Sequence, residues 1–515
     1  MDGGVSRPWW HGLPGALAVA LAVAAIPRLA AALLGRYIVH PDEVWDYLEP
    51  AHRHAFGYGI PQWSQELGIR NVIYPRFLAA IMQWTEPLGG PDAYLPAVHV
   101  AMALLSLVTV AAACVWGIRL VGPVGGVIAG IAVGTWHELV YFAPRTISET
   151  IATDVLFAGL LLALPARPEH GARRLFFAGC LLGAAVGLRL QVAPAAAVAV
   201  LAAGWRAPLG QGTWLGLGGL AALAVFGAVD WVTLGLPAQS IWLNVWINTV
   251  AGMSSSFGRL PWWHYGSLVA SSWTGSAVIV LALAALGALR LPSLAACAAA
   301  LLVAHSAIAW KEYRFILPAI TMIVALAGIG AGMATTWMLA QVRANPAVRT
   351  AAVALVALAW CGIALLNGRE GNFRREWSRQ SGQIEAATVL RRQKELCGIG
   401  IWRVEGGSTA GYPFLHRHVP LYGVSDAGSL PTHSPAFDAI IAPDDDLPPL
   451  PDYTVLGCFP NGFNETSFNQ RKPQICVLKR AGPCRVEAAP PAGDHFGEYL
   501  RRGRAFLQSL RGSGS

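Results

Sequence analysis

The chain has 515 residues, of which 55% are hydrophobic and 13% charged, with a mean hydropathy of +0.47 and a net charge of +8. That is too apolar for a soluble globule, and apolar runs of about 20 residues recur from Leu13 to Asn367, the pattern of a polytopic α-helical membrane protein. The positive balance fits Lys/Arg-bearing cytoplasmic loops, and the lack of a basic stripe with interleaved aromatics argues against nucleic acid as a partner.

The first apolar segment, Leu13–Leu34, is long for a signal peptide, contains Arg28, and reads as a retained membrane anchor. A few residues past its end stands His40-Pro41-Asp42-Glu43-Val44-Trp45-Asp46, with three carboxylates within five positions. Ionisable groups at a membrane boundary are costly and mark functional sites. Pro41 holds His40 extended and fixes its own φ, so the turn is stiff where the acids begin. A rigid pair of acids at the mouth of an apolar bundle suits a general base that activates a hydroxyl. The same pair could instead open a helix, where acids complement the dipole.

This stretch begins a long polar loop, residues 36–72, which also carries Glu49, His52, Arg53, Trp63, Glu66 and Arg70. Residues 73–88 are half apolar and read as an interfacial helix, so that an outer loop covers 36–93. Spans two and three follow at about 94–118 and 124–142, then the short polar loop Ala143–Thr150 with Arg145 and Glu149. Span four ends near Pro165, and spans five and six flank Gly187-Leu188-Arg189-Leu190-Gln191. Span seven leads into a second outer loop, 237–265, ending in Pro261-Trp262-Trp263-His264-Tyr265. Spans eight and nine end at Arg290 and Trp310; Lys311-Glu312-Tyr313-Arg314 precedes span ten, and span eleven runs to Leu366.

With the N-terminus inside, eleven spans put the loops of Arg119, Arg167/Arg173/Arg174, Arg206, Arg290 and Arg343/Arg349 on the inner side, short and basic as the positive-inside rule requires. The acid cluster, Arg145, Arg189, the Trp-Trp-His loop, Lys311–Arg314 and residues 368–515 then share the outer side. Acids and cations at one headgroup level suit a reaction on a lipid-linked, phosphorylated substrate: cations offset the phosphate charge and a carboxylate activates the acceptor. Bland readings stand beside these. Arg145 could snorkel, Arg189 could pair with Asp230 or Glu149, Lys311/Glu312/Arg314 could be a surface i,i+3 set, and His264, Trp263, Trp45 and Trp63 could be interface anchors.

From about Arg369 polar residues and Pro dominate, which sets a membrane domain (1–367) apart from a small soluble α/β domain (368–515). Cys114, Cys180, Cys297 and Cys361 lie in apolar spans, whereas Cys397, Cys458, Cys476 and Cys484 lie in the C-terminal domain. No C-x-x-C pair occurs, which argues against zinc or a redox motif, and at least one disulfide is expected among the last four. Asn464-Glu465-Thr466 is a glycosylation sequon by pattern, and the Ala/Gly/Arg-heavy composition points to a bacterium.

Five motifs stand in one order: His40-Pro41-Asp42-Glu43, Arg145-Thr146-Ile147-Ser148-Glu149-Thr150, Gly187–Gln191, Pro261–Tyr265 and Lys311-Glu312-Tyr313-Arg314-Phe315. In this the chain resembles glycosyltransferase family 22, the Alg9-like α-mannosyltransferases of N-glycan and GPI-anchor assembly, over about residues 12–340. One departure is Trp310, where the family usually has His. The resemblance implies a GT-C fold, no metal or other cofactor, and a polyprenyl- or dolichyl-phosphate-mannose donor. It further implies inverting transfer to a glycan or glycolipid acceptor at the periplasmic face of a bacterial inner membrane, or the lumenal face of an ER membrane. Carried over by motif, Asp42 would be the base and Glu43 its neighbour or alternate. Lys311 and Arg314, then Arg189 and Arg145, would hold the donor phosphate, and His40, Trp45, Glu149, Trp263 and His264 would contact substrate. Another GT-C transferase, of the protein O-mannosyl or lipid A aminoarabinose type, and a secondary transporter are the alternatives; the absence of an internal repeat counts against the transporter.

Overall fold

The computed structural model describes residues 13–165, 170–204, 210–370, 376–403, 409–424, 427–428, 430–462, 474–482, 484 and 503–509; Arg167, Arg206 and the Asn464 sequon lie outside them. The chain forms two compact units, residues 1–33 with 99–373, and residues 34–98 with 374–515. The acid-bearing loop therefore groups with the C-terminal residues and not with the bundle.

Among the described residues six helices are long and apolar enough to cross a membrane: Pro14–Leu34, Pro91–Val121, Gln211–Leu234, His264–Ala288, Tyr313–Gln341 and Pro346–Arg369. The other five segments read as spans are helical but shorter: Pro123–Thr135, Ser148–Ala163, Ala172–Leu188, Ala193–Gly204 and Pro292–Ser306. Leu317–Gln341 is buried along most of its length and is the centre of the first unit. It is approached closely because its partners are small: a Cβ at Gly287 would meet the Leu326 carbonyl, and one at Gly330 the Leu283 carbonyl. Small residues play this part where lipid removes the hydrophobic drive between helices.

The third segment is broken. Trp136, at φ −58 and ψ 125, turns the chain out of the helix Pro123–Thr135 before His137–Phe142 resumes. Carbonyls near such a break need donors, since none come from lipid. Arg28, almost completely buried on the helix Leu13–Leu34, donates to the carbonyls of Val133 (3.1 Å) and Gly134 and to Ser106 Oγ (3.0 Å). The sequence marks Arg28 only as an odd charge in an apolar run; its guanidinium closes the end of another helix.

Two stretches expected as loops contain helices. Residues 36–72 hold Glu49–Phe56 and Trp63–Leu67, and residues 237–265 hold Gln239–Thr249. In each the few apolar residues recur at helical spacing, as Leu243 and Ile247 do, and these are buried. Residues 73–88 form the helix Ile73–Thr85, with Tyr74, Leu78 and Met82 buried and Phe77 and Trp84 exposed.

The second unit contains a five-stranded sheet. Strands β1 (Ile399–Trp402), β2 (Leu421–Val424), β3 (Ala439–Pro443), β4 (Thr454–Pro460) and β5 (Gln474–Lys479) stand in the order β2-β1-β3-β5-β4. The pairs β1–β2 and β1–β3 are parallel; β3–β5 and β4–β5 are antiparallel. On one face Ile399, Ile441, Ile475 and Val477 pack with Ala386 and Leu390 of the helix Ser381–Arg391. On the other, Trp402, Tyr422, Phe437, Ile440 and Leu478 form a second core. All four cysteines of this part are paired, as Cys397–Cys484 and Cys458–Cys476, the second across the β4–β5 register. The expected cross-linking is present, and Cys114, Cys180, Cys297 and Cys361 are free thiols.

Candidate active site

The acid motif folds into an uncommon form. From Glu43 to Leu48 the backbone is a π-helix, and the Glu49 N–H reaches back to the Val44 carbonyl. Such segments are rare and concentrate at functional sites. They change the spacing of side chains, and here the three acids of the motif and Glu49 just beyond it take different roles. Glu43 is buried, at 1% exposure, and its Oε2 accepts the Val39 N–H at 2.8 Å. Asp42 retains 28% of its side-chain exposure, with Oδ1 3.2 Å from His40 Nδ1. Asp46 accepts from Ser64 Oγ at 2.6 Å and forms a pair with Arg70 at 2.8 Å, clasping the loop. Glu49 is fully buried and accepts the N–H groups of Ile60 (2.7 Å) and Tyr412 (2.9 Å).

Burial raises the Glu49 carboxyl to a pKa of about 7 against the pull of those two N–H donors. Beside it, burial lowers the His52 imidazole to about 4; its Nδ1 lies 3.1 Å from the Tyr58 carbonyl and its Nε2 3.0 Å from His416 Nδ1. The His416 imidazole is also lowered by burial. Trp45 is half-buried, and among the described residues its indole N–H has no hydrogen-bond partner.

The cations belong to the first unit, where the fold gathers three separate motifs. Glu149 occupies the first turn of Ser148–Ala163, where a carboxylate complements the helix dipole. Arg189 follows the last residue of Ala172–Leu188 in extended conformation, and Arg314 sits in the 3₁₀ turn Tyr313–Ile316 ahead of Leu317–Gln341. Both guanidiniums meet one carboxylate: Arg189 donates to Glu149 Oε1 at 2.9 Å, and Arg314 lies 3.4 Å from the same oxygen. Arg314 also donates to Glu312 at 2.6 Å, and Arg189 to Gln191. The guanidinium carbons of Arg314 and Arg189 lie over the Phe315 ring, 5.1 and 5.7 Å from its centroid. Lys311 is buried and donates to the carbonyls of Leu260 (3.0 Å) and Ile308 (2.6 Å).

Three cations stand against two carboxylates, which leaves the cluster positive at the N-terminus of a 25-residue helix, a place that favours anions. Trp310, where the resemblance leads one to expect His, donates its indole N–H to Glu312 at 2.8 Å and so holds the carboxylate that holds Arg314. Arg145 is completely buried in the same unit. Trp263 is exposed and His264 half-buried, at the start of the helix His264–Trp273. Glu149, expected to contact substrate, has its carboxylate engaged by the two arginines.

The buried carboxylate of Glu138 escaped the sequence reading. Glu138 follows the helix break and lies among Trp136, Ser272, Trp273 and Tyr313. Its partners are scattered over 175 residues of sequence, so no local pattern marks it. Among the described residues, the grouping of three or more Cys, His, Asp or Glu at metal-ligand distance is Cys397, Asp438 and Cys484, and both of its sulfurs are joined in a disulfide.

The Alg9-like mannosyltransferase family model matches residues 19–369. GPI mannosyltransferase 3 of Yarrowia lipolytica is 24% identical over 438 residues, covering 80% of this chain and 78% of that protein. GPI mannosyltransferase 3 of Drosophila melanogaster is 37% identical over 81 residues, 15% of this chain and 14% of its own. The crystal structure of ArnT from Cupriavidus metallidurans bound to undecaprenyl phosphate superposes with a TM-score of 0.58 at 14% identity, covering 92% of this chain and 98% of that one. At that identity the likeness shows the fold, and the fold is GT-C. A family match over most of a multi-pass helical chain sets the transporter reading aside: this integral membrane protein belongs to the Alg9-like mannosyltransferase family.

Proposed function

We propose that the protein transfers mannose from a polyprenyl- or dolichyl-phosphate-mannose to a hydroxyl of a glycan or glycolipid acceptor, with inversion, on the periplasmic or lumenal side of its membrane. The observation that carries this reading is the pair of guanidiniums, Arg189 and Arg314, set on one shared carboxylate before the transfer begins. Guanidiniums held in place by Glu149 and Glu312 offset phosphate charge without reorganising during the reaction. The GPI mannosyltransferases among its relatives and the undecaprenyl phosphate bound to ArnT support a lipid-phosphate donor and a glycolipid acceptor.

In the reaction, the acceptor hydroxyl attacks the anomeric carbon while its proton passes to Asp42. The bond from that carbon to the phosphate oxygen breaks, and its electron pair leaves with the lipid phosphate. Arg314 and Arg189 take up the charge that develops there, with Lys311 and Arg145 adding to the positive field. Asp42 suits the base because its carboxylate is accessible, whereas Glu43 is engaged with the backbone of its own turn.

Purified enzyme supplied with labelled polyprenyl-phosphate-mannose and a glycolipid acceptor tests the reading. Asp42→Asn should lower turnover by roughly 10²–10⁴-fold with donor binding nearly unchanged. Arg314→Ala should weaken donor binding as well as turnover, since it meets the phosphate in the ground state too. Near-normal turnover in Asp42→Asn refutes the base assignment, and transfer from a nucleotide sugar alone refutes the donor.

A further inference from the structure

Glu138 has no exposed surface, and four side chains converge on it. Its Oε2 accepts the indole N–H of Trp136 at 3.0 Å and that of Trp273 at 3.0 Å. Its Oε1 accepts from the hydroxyls of Ser272 and Tyr313, and His137 Nε2 lies 3.6 Å away. The rings of Trp136 and Trp273 meet edge to face at 5.2 Å, which fixes the angle between the two indole donors. Indole nitrogens can only donate, and an ionised carboxylate has acceptor sites for all four groups.

Three of these partners, Ser272, Trp273 and Tyr313, come from the two segments that carry the last two of the five motifs. Ser272 and Trp273 end the helix His264–Trp273, whose first turn follows Pro261-Trp262-Trp263. Tyr313 stands between Lys311 and Arg314 and opens the 3₁₀ turn that holds Arg314. Lys311 is tied down on one side by the Leu260 and Ile308 carbonyls, and Tyr313 on the other by Glu138. With both ends held, the rotation of the turn about its axis is set, and with it the place of the Arg314 guanidinium.

We infer that Glu138 is a positioning residue for donor binding: through Tyr313, Ser272 and Trp273 it registers the Lys311–Phe315 turn against the helix that begins at His264. The inference rests on the proposed role of Arg314 at the donor phosphate. It adds that this role depends on a carboxylate that touches no substrate.

The test measures donor KM and kcat, together with thermal stability, for full-length Tyr313→Phe, Glu138→Gln and the double variant, using synthetic polyprenyl-phosphate-mannose. Tyr313→Phe keeps the ring and removes only the hydroxyl. It should raise donor KM roughly tenfold, the scale of one hydrogen bond to a charged group, while kcat changes by less than about threefold. Glu138→Gln places an amide N–H against indole donors and should raise donor KM at least as much. The double variant should be no worse than Glu138→Gln, because the two changes remove one contact. A merely structural Glu138 would lower yield and melting temperature but leave the donor KM of the folded enzyme at the wild-type value; that result overturns the inference. Should Glu138→Gln not fold, Tyr313→Phe decides alone. If Arg314→Ala leaves donor KM unchanged, the phosphate assignment itself has failed and the inference falls with it. If Arg314→Ala raises donor KM and Tyr313→Phe does not, only the inference has failed.

Discussion

Glu43 Oε2 accepts the backbone N–H of Val39 across 2.8 Å, closing a turn of the chain on itself around Pro41. Its neighbour Asp42 thereby projects from a turn that is already braced. Two adjacent carboxylates that look interchangeable in sequence have been separated into a brace and a partly exposed acid beside His40.

That separation predicts how the two acids respond to substitution. Glu43→Gln keeps an amide oxygen for the Val39 N–H, so it should fold and lose less than about tenfold in turnover. Glu43→Ala removes the acceptor and should destabilise the protein by about 1–3 kcal/mol, the cost of an unmet buried donor. Thermal unfolding and initial-rate measurements on both variants check this. Loss of turnover in Glu43→Gln equal to that in Asp42→Asn would transfer the role of base to Glu43.

Glu49 predicts a pH dependence. Its carboxyl is raised from 4.5 to about 7 in the folded protein, so folding takes up a proton between those values. The stabilisation is complete below pH 4.5, declines by about 1.4 kcal/mol per pH unit as pH rises, and is gone above about pH 7. His52 works in the opposite direction. Lowered from 6.5 to about 4, it contributes stability that is present above pH 6.5 and lost as pH falls toward 4. The two slopes oppose one another between pH 4.5 and 6.5, and the wild-type profile there should be shallow. Glu49→Gln removes one of them, so the variant should lose stability on acidification more steeply than the wild type. Melting temperatures of the two proteins across pH 4–8 measure it; parallel profiles would show that Glu49 does not titrate in this range.

Topology is open to a direct measurement. The expected eleven crossings, with the N-terminus inside, would put the C-terminus on the side opposite Arg119, Arg290 and Arg343. A reporter fused after Ser515 that is active only outside the cytoplasm should be active. One active only within the cytoplasm should be silent, and the reverse result removes the topology.

The parts of this site that were legible in sequence are those where chemistry and hydropathy disagree. Asp42, Arg189, Lys311 and Arg314 interrupt or border apolar runs, and such charges are rare enough there to be noticed. Their neighbours Glu149 and Glu312 could be named but not assigned, because one carboxylate in a motif can bind a substrate or hold an arginine, and only distances tell which. Glu138 was invisible for a plainer reason. It sits at a break caused by the φ/ψ of Trp136, and its donors Trp273 and Tyr313 are 135 and 175 residues away. Helices inside the long loops were missed because hydropathy windows follow membrane thickness, whereas a helix such as Glu49–Phe56 needs only a few buried residues on one side.

Arg28 carries a consequence for the order of assembly. Its guanidinium supplies hydrogen bonds to carbonyls more than a hundred positions further along the chain, at the break before His137. Lipid can meet neither those donors nor the carbonyls at the break. Each defect cures the other only when the two helices pack. The break, and the buried Glu138 just past it, is therefore complete only once the helix that carries Arg28 has docked against the third segment.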